Sequence, residues 1–486
     1  MLNFKKCISG VAASLLLVAS LTISSVAKAE ETKSIEDESI YDLLIDRILN
    51  GTLENDYNAD AENPSQFAGG DFKGLLEKRS LITKMGFTIA SIGSVFSTET
   101  YDGSMVTSYR QIEPQFGTPE ELTNLIETFH DDHVKMMIDF PLSNVSENHE
   151  WAQDGDKANW IIEKSNGKVR WDLNNKEVQQ ALIDSVVEFV TTYNVDGVRL
   201  TNLDTASPSF LNEVIEAIKS VNNNVYVISN EESDANFDAT YFEETNEAFR
   251  NAYKNVDQDS SALLTNVAPF VEGKQAPAQL MIDSLLTDRF TLSAEAYPPT
   301  RVRLAIAATL LLPGVPVMQY GTEIIMNGEA GPNAHQLYNF RTDEDMVEFI
   351  GDVQTLRNQS ETLRNGEFKL IKNENGFLVF ERYSDDERWV IVINNTGKTT
   401  KVDIPADEVG TDKELRAMLD SDTIRVNDEG NFPIVLDREI VEIYQVTEEK
   451  GINISYLIAL GLVYLLFIGF IIALIKRGKR RRANQN

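Results

Sequence analysis

The 486 residues carry 44 basic and 76 acidic side chains, a formal charge of −32. Between Glu30 and Lys450 the imbalance is steeper, 35 basic against 76 acidic, which argues against nucleic acid or an anionic lipid surface as partner but says little about neutral sugars. The one cysteine, Cys7, and four histidines without a His-x-x-x-His pair leave no disulfide framework, no thiolate nucleophile after Glu30 and no histidine-built zinc site.

In chain order, Lys5 and Lys6 precede an apolar run from Ile8 to Val26 that ends in Ala27-Lys28-Ala29. This predicts a secretory signal peptide over 1–29. From 37 to 365, short β-branched runs alternate with helical patterns. Strands are expected at Ile40–Ile45, Phe87–Ile92, Val134–Asp139, Gly197–Leu200, Val225–Ser229, Phe237–Tyr241, Leu280–Asp283 and Val315–Gln319. Helices are expected between them, among them Glu120–Asp132, Lys176–Tyr193, Pro208–Val221 and Thr300–Leu312. Eight strands with intervening helices fit an α/β fold of the (β/α)₈ TIM barrel type, its halves at 37–140 and 173–365.

Residues 141–172 interrupt that rhythm as a short inserted domain after strand three, carrying Trp151, Trp160 and Trp171. These rings either line a rim or, the plainer reading, form the insertion's own core. From 366 to 448 the segments are short and separated by turn residues, as in an all-β sandwich. Ile454 to Ile475 is an uncharged apolar stretch, long enough to cross a ~30 Å hydrocarbon core as a helix. The basic tail at 476–486 follows, so the positive-inside bias predicts a single-pass cell-membrane protein with its ectodomain outside and its tail in the cytoplasm.

Read in order, the strand ends carry Asp46-Arg47, Gly69-Gly70-Asp71, Tyr101-Asp102-Gly103, Met137-Ile138-Asp139, Asp196-Gly197-Val198-Arg199-Leu200, Thr287-Asp288-Arg289-Phe290 and Pro313-Gly314-Val315-Pro316-Val317. In this order and spacing the chain resembles the α-amylase family, glycoside hydrolase family 13. The resemblance implies a retaining glycosidase, whose nucleophile and proton donor are carboxyl groups ~5–5.5 Å apart. The family's nucleophile position maps to Thr201, its acid to Asn230 and its third carboxylate to Leu286. A threonine without a neighbouring base is a poor nucleophile, an asparagine has no acidic proton to give, and a leucine offers no charge.

The expectation is therefore an α-amylase-like protein without glycosidase activity that binds α-glucan or maltooligosaccharide at the cell surface. Two alternatives stand beside it: an active α-1,4-glucan hydrolase using Glu231 or Asp204 as a displaced carboxylate, and a scaffold for an unidentified protein partner. Strand alternation turns Glu231 away from the pocket, and Asp204 reads as a solvated loop residue. Tyr101, Asp139, Arg199 and Asp283 are the sugar contacts that the resemblance implies, or remnants of the scaffold. It also implies a Ca²⁺ site at Asn50, Thr52, Asn55, Asp56, Gly69 and Asp71, where Asn50 stands for an aspartate. The set otherwise reads as an ordinary polar loop.

Overall fold

The computed structural model describes residues 34–295, 297–342, 344–449 and 454–483; the expected signal peptide lies outside them. Seven parallel strands are hydrogen-bonded in the order Tyr226–Ser229, Gly197–Thr201, Lys135–Pro141, Ile89–Ser91, Ile40–Asp42, Val315–Gln319 and Gln279–Leu280. Two isolated parallel bridges, Ile228 with Ala239 and Thr240 with Ala278, close the ring into an eight-staved barrel. The sixth strand, expected over Phe237–Tyr241, is thus reduced to two bridging residues. Its backbone still pairs on both sides, Asp238 N to Val227 O at 2.9 Å and Gln279 N to Thr240 O at 2.8 Å.

Period-two alternation decides which side chains face the barrel axis. Ile40, Ile89, Met137, Ile228, Met281 and Val317 belong to one interior cluster. Their neighbours Tyr41, Ala90, Ile138, Val198 and Val227 belong to the much larger core shared with the helices. The next interior positions toward the C-terminal ends are Asp42, Asp139, Arg199 and Thr201. The hydrophobic floor therefore gives way to polar groups at that end, where barrel active sites are built.

The helices Lys176–Tyr193 and Pro208–Val221 have the expected bounds. Two others start slightly earlier, at Pro119 and Pro298. At Pro119 the cause is local. Thr118 Oγ1 accepts from Glu121 N while Glu121 Oε2 accepts from Thr118 N, a capping box with proline at the first helical position.

The inserted segment folds as three antiparallel strands, Val145–Ser146, Lys168–Trp171 and Ile161–Ser165. Its three tryptophans are buried. The His149 ring lies 5.1 Å from Trp151 and 5.2 Å from Trp171, and Trp151 meets Trp160 edge-on at 5.3 Å. They form a small core rather than a rim.

After Gly366, six antiparallel strands from Glu367–Glu374 to Ile440–Glu448 face a two-stranded sheet, Thr400–Pro405 with Asn431–Leu436. Val379, Val390, Ile404 and Ile434 fill the space between them. The buried Arg382 donates to Leu311 O (3.2 Å), tying this sandwich to the last residue of the barrel helix Pro298–Leu311. The last described helix is Ile454–Ala483, whose window Ile458–Arg477 has mean hydropathy 2.9 and is not buried against any other described residue.

Candidate functional site

One cleft of about 370 Å³ opens at the C-terminal end of the barrel. Thr201, Asn230 and Leu286 all line it, together with Asp204 and Glu231. Thr201 faces inward because it is two residues after Arg199 on the same strand, and Asn230 enters the cleft from the bend that follows the strand Tyr226–Ser229. Leu286 comes from the turn after Gln279–Leu280, in which Ser284 N meets Thr287 Oγ1 at 3.1 Å, and it is 69% exposed.

Glu231 also faces this cleft, contrary to the alternation expected of it. The strand ends at Ser229, so residues 230 and 231 belong to a turn in which successive side chains need not alternate. The Glu231 carboxylate accepts from Leu203 N at 3.1 Å, bridging the ends of strands four and five. Asp204 is not free in solvent as expected. Arg170 of the insertion holds it, Nε to Oδ2 at 2.9 Å, and pairs with Glu163 at 2.7 Å.

Arg199 forms the cleft floor. Its Nη1 and Nη2 reach Asp42 at 3.0 and 2.9 Å, and its Nε and Nη2 reach Asp139 at 2.7 and 2.9 Å. Burial works against this guanidinium's charge, but Asp139 and Asp42 outweigh it and hold the group above its usual range. Burial pushes the Asp139 carboxyl up, and Arg199 pulls it back. Both acids have two oxygens engaged by one fork, and neither is placed as a free acid beside the other.

Two expected sugar contacts sit elsewhere. Tyr101 is only 5% exposed and does not line the cleft, because the Arg47 guanidinium covers its ring at 3.8 Å. Its hydroxyl donates to His335 Nδ1 (2.8 Å), and His335 Nε2 donates to Leu285 O (2.9 Å). A ring nitrogen facing a carbonyl must carry the proton, which fixes the tautomer. Burial holds this imidazole below its usual range. Asp283 is likewise turned inward, accepting from Phe290 N (2.6 Å) and Thr322 Oγ1 (2.8 Å), so Ser284, Leu285 and Leu286 line the cleft in its place.

Sequence reading overlooked Asp42, Asn202 and His335 as cleft residues. Asp42 was legible, two positions after the interior Ile40. His335 lies in a loop without periodicity, and nothing local announces its reach to Leu285. Asn230 keeps its Oδ1 buried without a hydrogen-bond partner, a vacancy that ordinarily costs ~1–3 kcal/mol unless something fills it.

Of the six expected calcium positions, Asn50, Thr52, Asp56 and Asp71 are hydrogen-bonded within the loop and its following helix. Asp71 caps the helix Phe72–Lys78, accepting from Gly74 N (2.7 Å), Thr52 N (2.9 Å) and Gly51 N (3.1 Å). Asn50 Nδ2 donates to Asp56 Oδ1 at 2.8 Å, and Gly69 lies against both. Asn55 gives its Nδ2 to Gln115 O and leaves its Oδ1 buried without a partner. An amide N–H pointed at Asp56 does the work of a cation. The arrangement does not fit the shell of six to eight oxygens that Ca²⁺ takes.

Comparison with known proteins bears on this cleft directly. Residues 42–171 match the model of the α-amylase catalytic domain, and 366–444 that of the α-amylase C-terminal domain. An α-amylase structure from Anoxybacillus superposes with a TM-score of 0.82 at 30% identity, covering 86% of this chain and all of that one. The chain belongs to the α-amylase family. A Geobacillus thermoleovorans α-amylase complexed with acarbose gives 0.80 at 28% identity, covering 86% of this chain and all of that one. A cyclomaltodextrinase from a Bacillus species is 24% identical over 74% of this chain and 73% of its own. A Paenibacillus polymyxa β/α-amylase is 23% identical over 84% of this chain, which spans only 38% of that protein. The eight-staved barrel, inserted lobe and terminal sandwich are therefore the family's architecture, and the cleft occupies the family's active-site face.

Proposed function

We propose that this chain binds α-glucan or maltooligosaccharide without cleaving it, held on the outer face of a membrane by its C-terminal helix. The reading rests on one observation: Thr201, Asn230 and Leu286, to which the sequence resemblance maps the family's three carboxylates, line one cleft. Of the five acids that line the cleft, Asp42 and Asp139 pair with Arg199 and Asp204 with Arg170, while Glu231 and Asp102 accept only backbone N–H groups, from Leu203 and Ser104. The hydrogen-bonding groups that suit sugar hydroxyls persist, among them Thr201, Asn202 and the unpartnered Asn230 amide. Similarity to enzymes named for cyclomaltodextrin and maltose chemistry, and to one complexed with acarbose, supports an α-glucan as ligand. The exposed apolar helix Ile454–Ala483 and the bases that end it support the anchor.

Calorimetric titration with maltoheptaose tests the binding. A dissociation constant in the micromolar to low millimolar range, weakened about tenfold by Asn230→Ala (one hydrogen bond of ~1.4 kcal/mol), is the expected result. Absence of heat at millimolar sugar would contradict it and turn attention to a protein ligand. A second reading has one observation in its favour. Glu231 lines the cleft, and a hydrolase built around it as a displaced carboxylate would lose all turnover in Glu231→Gln.

A further inference from the structure

The cleft has two unlike walls. On the side of strands three to five it is lined by Asp139, Thr201, Asn230 and Glu231. On the side of strands seven and eight Leu285 and Leu286 stand over the buried Met281 and Val317 of the barrel interior, with Gln279, Ser284 and His335 beside them. A scattered exposed leucine needs no explanation, but Leu286 is not scattered. It stands inside a concavity, continuous with apolar neighbours, on a turn that is pinned from two directions. Ser284 and Thr287 close the turn, and His335 Nε2 holds the Leu285 carbonyl from the opposite loop. A flexible leucine would fold down onto its neighbours, whereas this one is kept 69% exposed.

A free maltooligosaccharide lays only the C–H faces of its rings on such a wall and has no alkyl segment to run along it. We infer that the cleft takes an amphiphilic glycoside: an α-linked glucose unit against the polar wall, with an apolar aglycone along Met281, Leu285 and Leu286. This deepens the sugar-binding reading above and rests on it. Burial of an alkyl chain on this wall strengthens binding about fourfold per methylene covered. Three methylenes covered would give a gain on the order of 50-fold.

The test uses the full chain in lipid nanodiscs, with empty nanodiscs as the blank, titrated with methyl α-maltoside, hexyl α-maltoside and 1-hexanol. Hexyl maltoside should bind 10- to 100-fold more tightly than methyl maltoside. The double variant Leu285→Ser, Leu286→Ser should bring that ratio close to one. Leu286→Ser alone, at an exposed position that folding does not depend on, should already lower it several-fold. Measurable methyl maltoside binding with a ratio near one in the unmodified chain would overturn the inference and leave the sugar-binding reading standing. Hexanol binding as tightly as hexyl maltoside would overturn it too, by revealing an apolar site indifferent to the sugar. If neither maltoside binds, the sugar-binding reading itself fails and this inference falls with it.

Discussion

Placing Asp at 201, Glu at 230 and Asp at 286 would return a nucleophile, a proton donor and a third carboxylate to side chains that already face one cleft. The triple variant Thr201→Asp, Asn230→Glu, Leu286→Asp is expected to hydrolyse maltoheptaose at least ~10²-fold above the unmodified chain, the low end of what a placed general acid supplies. A folded but inactive variant would mean that the Leu286 turn no longer sits where the family needs its third carboxylate. Arg199 is the complementary case. Removing its side chain leaves Asp42 and Asp139 facing each other in the barrel floor, so Arg199→Ala should cost ~3–5 kcal/mol in chemical denaturation. A loss below 1 kcal/mol would mean that water replaces the guanidinium without difficulty.

Among the elements, the insertion and the Asn50–Asp71 loop each make a prediction of their own. His149 is fully buried among tryptophans, and burial drives its imidazole from 6.5 down to about 3. Unfolding therefore takes up a proton between these values, so the native state loses stability as pH falls below 6.5, by up to ~1.4 kcal/mol per pH unit. His149→Phe should flatten this limb. The stability difference between variant and unmodified chain should shift toward the variant from pH 6.5 to pH 4. Parallel curves would show that the ring is protonated, or exposed, in the fold. In the other loop, Asn50 already gives Asp56 the positive end of an amide, so neither Ca²⁺ nor EDTA should move the melting temperature by more than about 1 °C. A calcium-dependent rise of several degrees would show the Asn50 amide turning its oxygen to a cation.

These same elements mark how far the sequence was legible. Apolar period-two runs located every barrel stave, including the sixth, which survives only as Ala239 and Thr240. Thr201 came from the resemblance rather than from these runs; the strand extends one residue past the expected Leu200 to include it. The same alternation misplaced Glu231, two residues beyond Ser229, because a pattern that depends on sheet pairing stops where the pairing stops. Tyr101 and Asp283 were assigned to the sugar by position alone. Their burial depends on Arg47 and Thr322, partners 54 and 39 residues away, and no local signal carries that information.

The whole molecule joins a family barrel to an apolar helix, and the segment before that helix is strongly acidic. Membrane fractions of expressing cells should retain the chain through a high-salt or carbonate wash, while a stop after Glu449 should release it. Release of the full chain by salt alone would mean that charge, not the helix, holds it there.

The central claim, that this cleft binds sugar without cutting it, meets its most direct test in a turnover assay of the purified full chain with maltoheptaose and a chromogenic α-glucoside. The account predicts product formation no faster than in protein-free buffer, unchanged by Glu231→Gln. Turnover well above that background, abolished by Glu231→Gln, would contradict it and make Glu231 the acid of a working hydrolase.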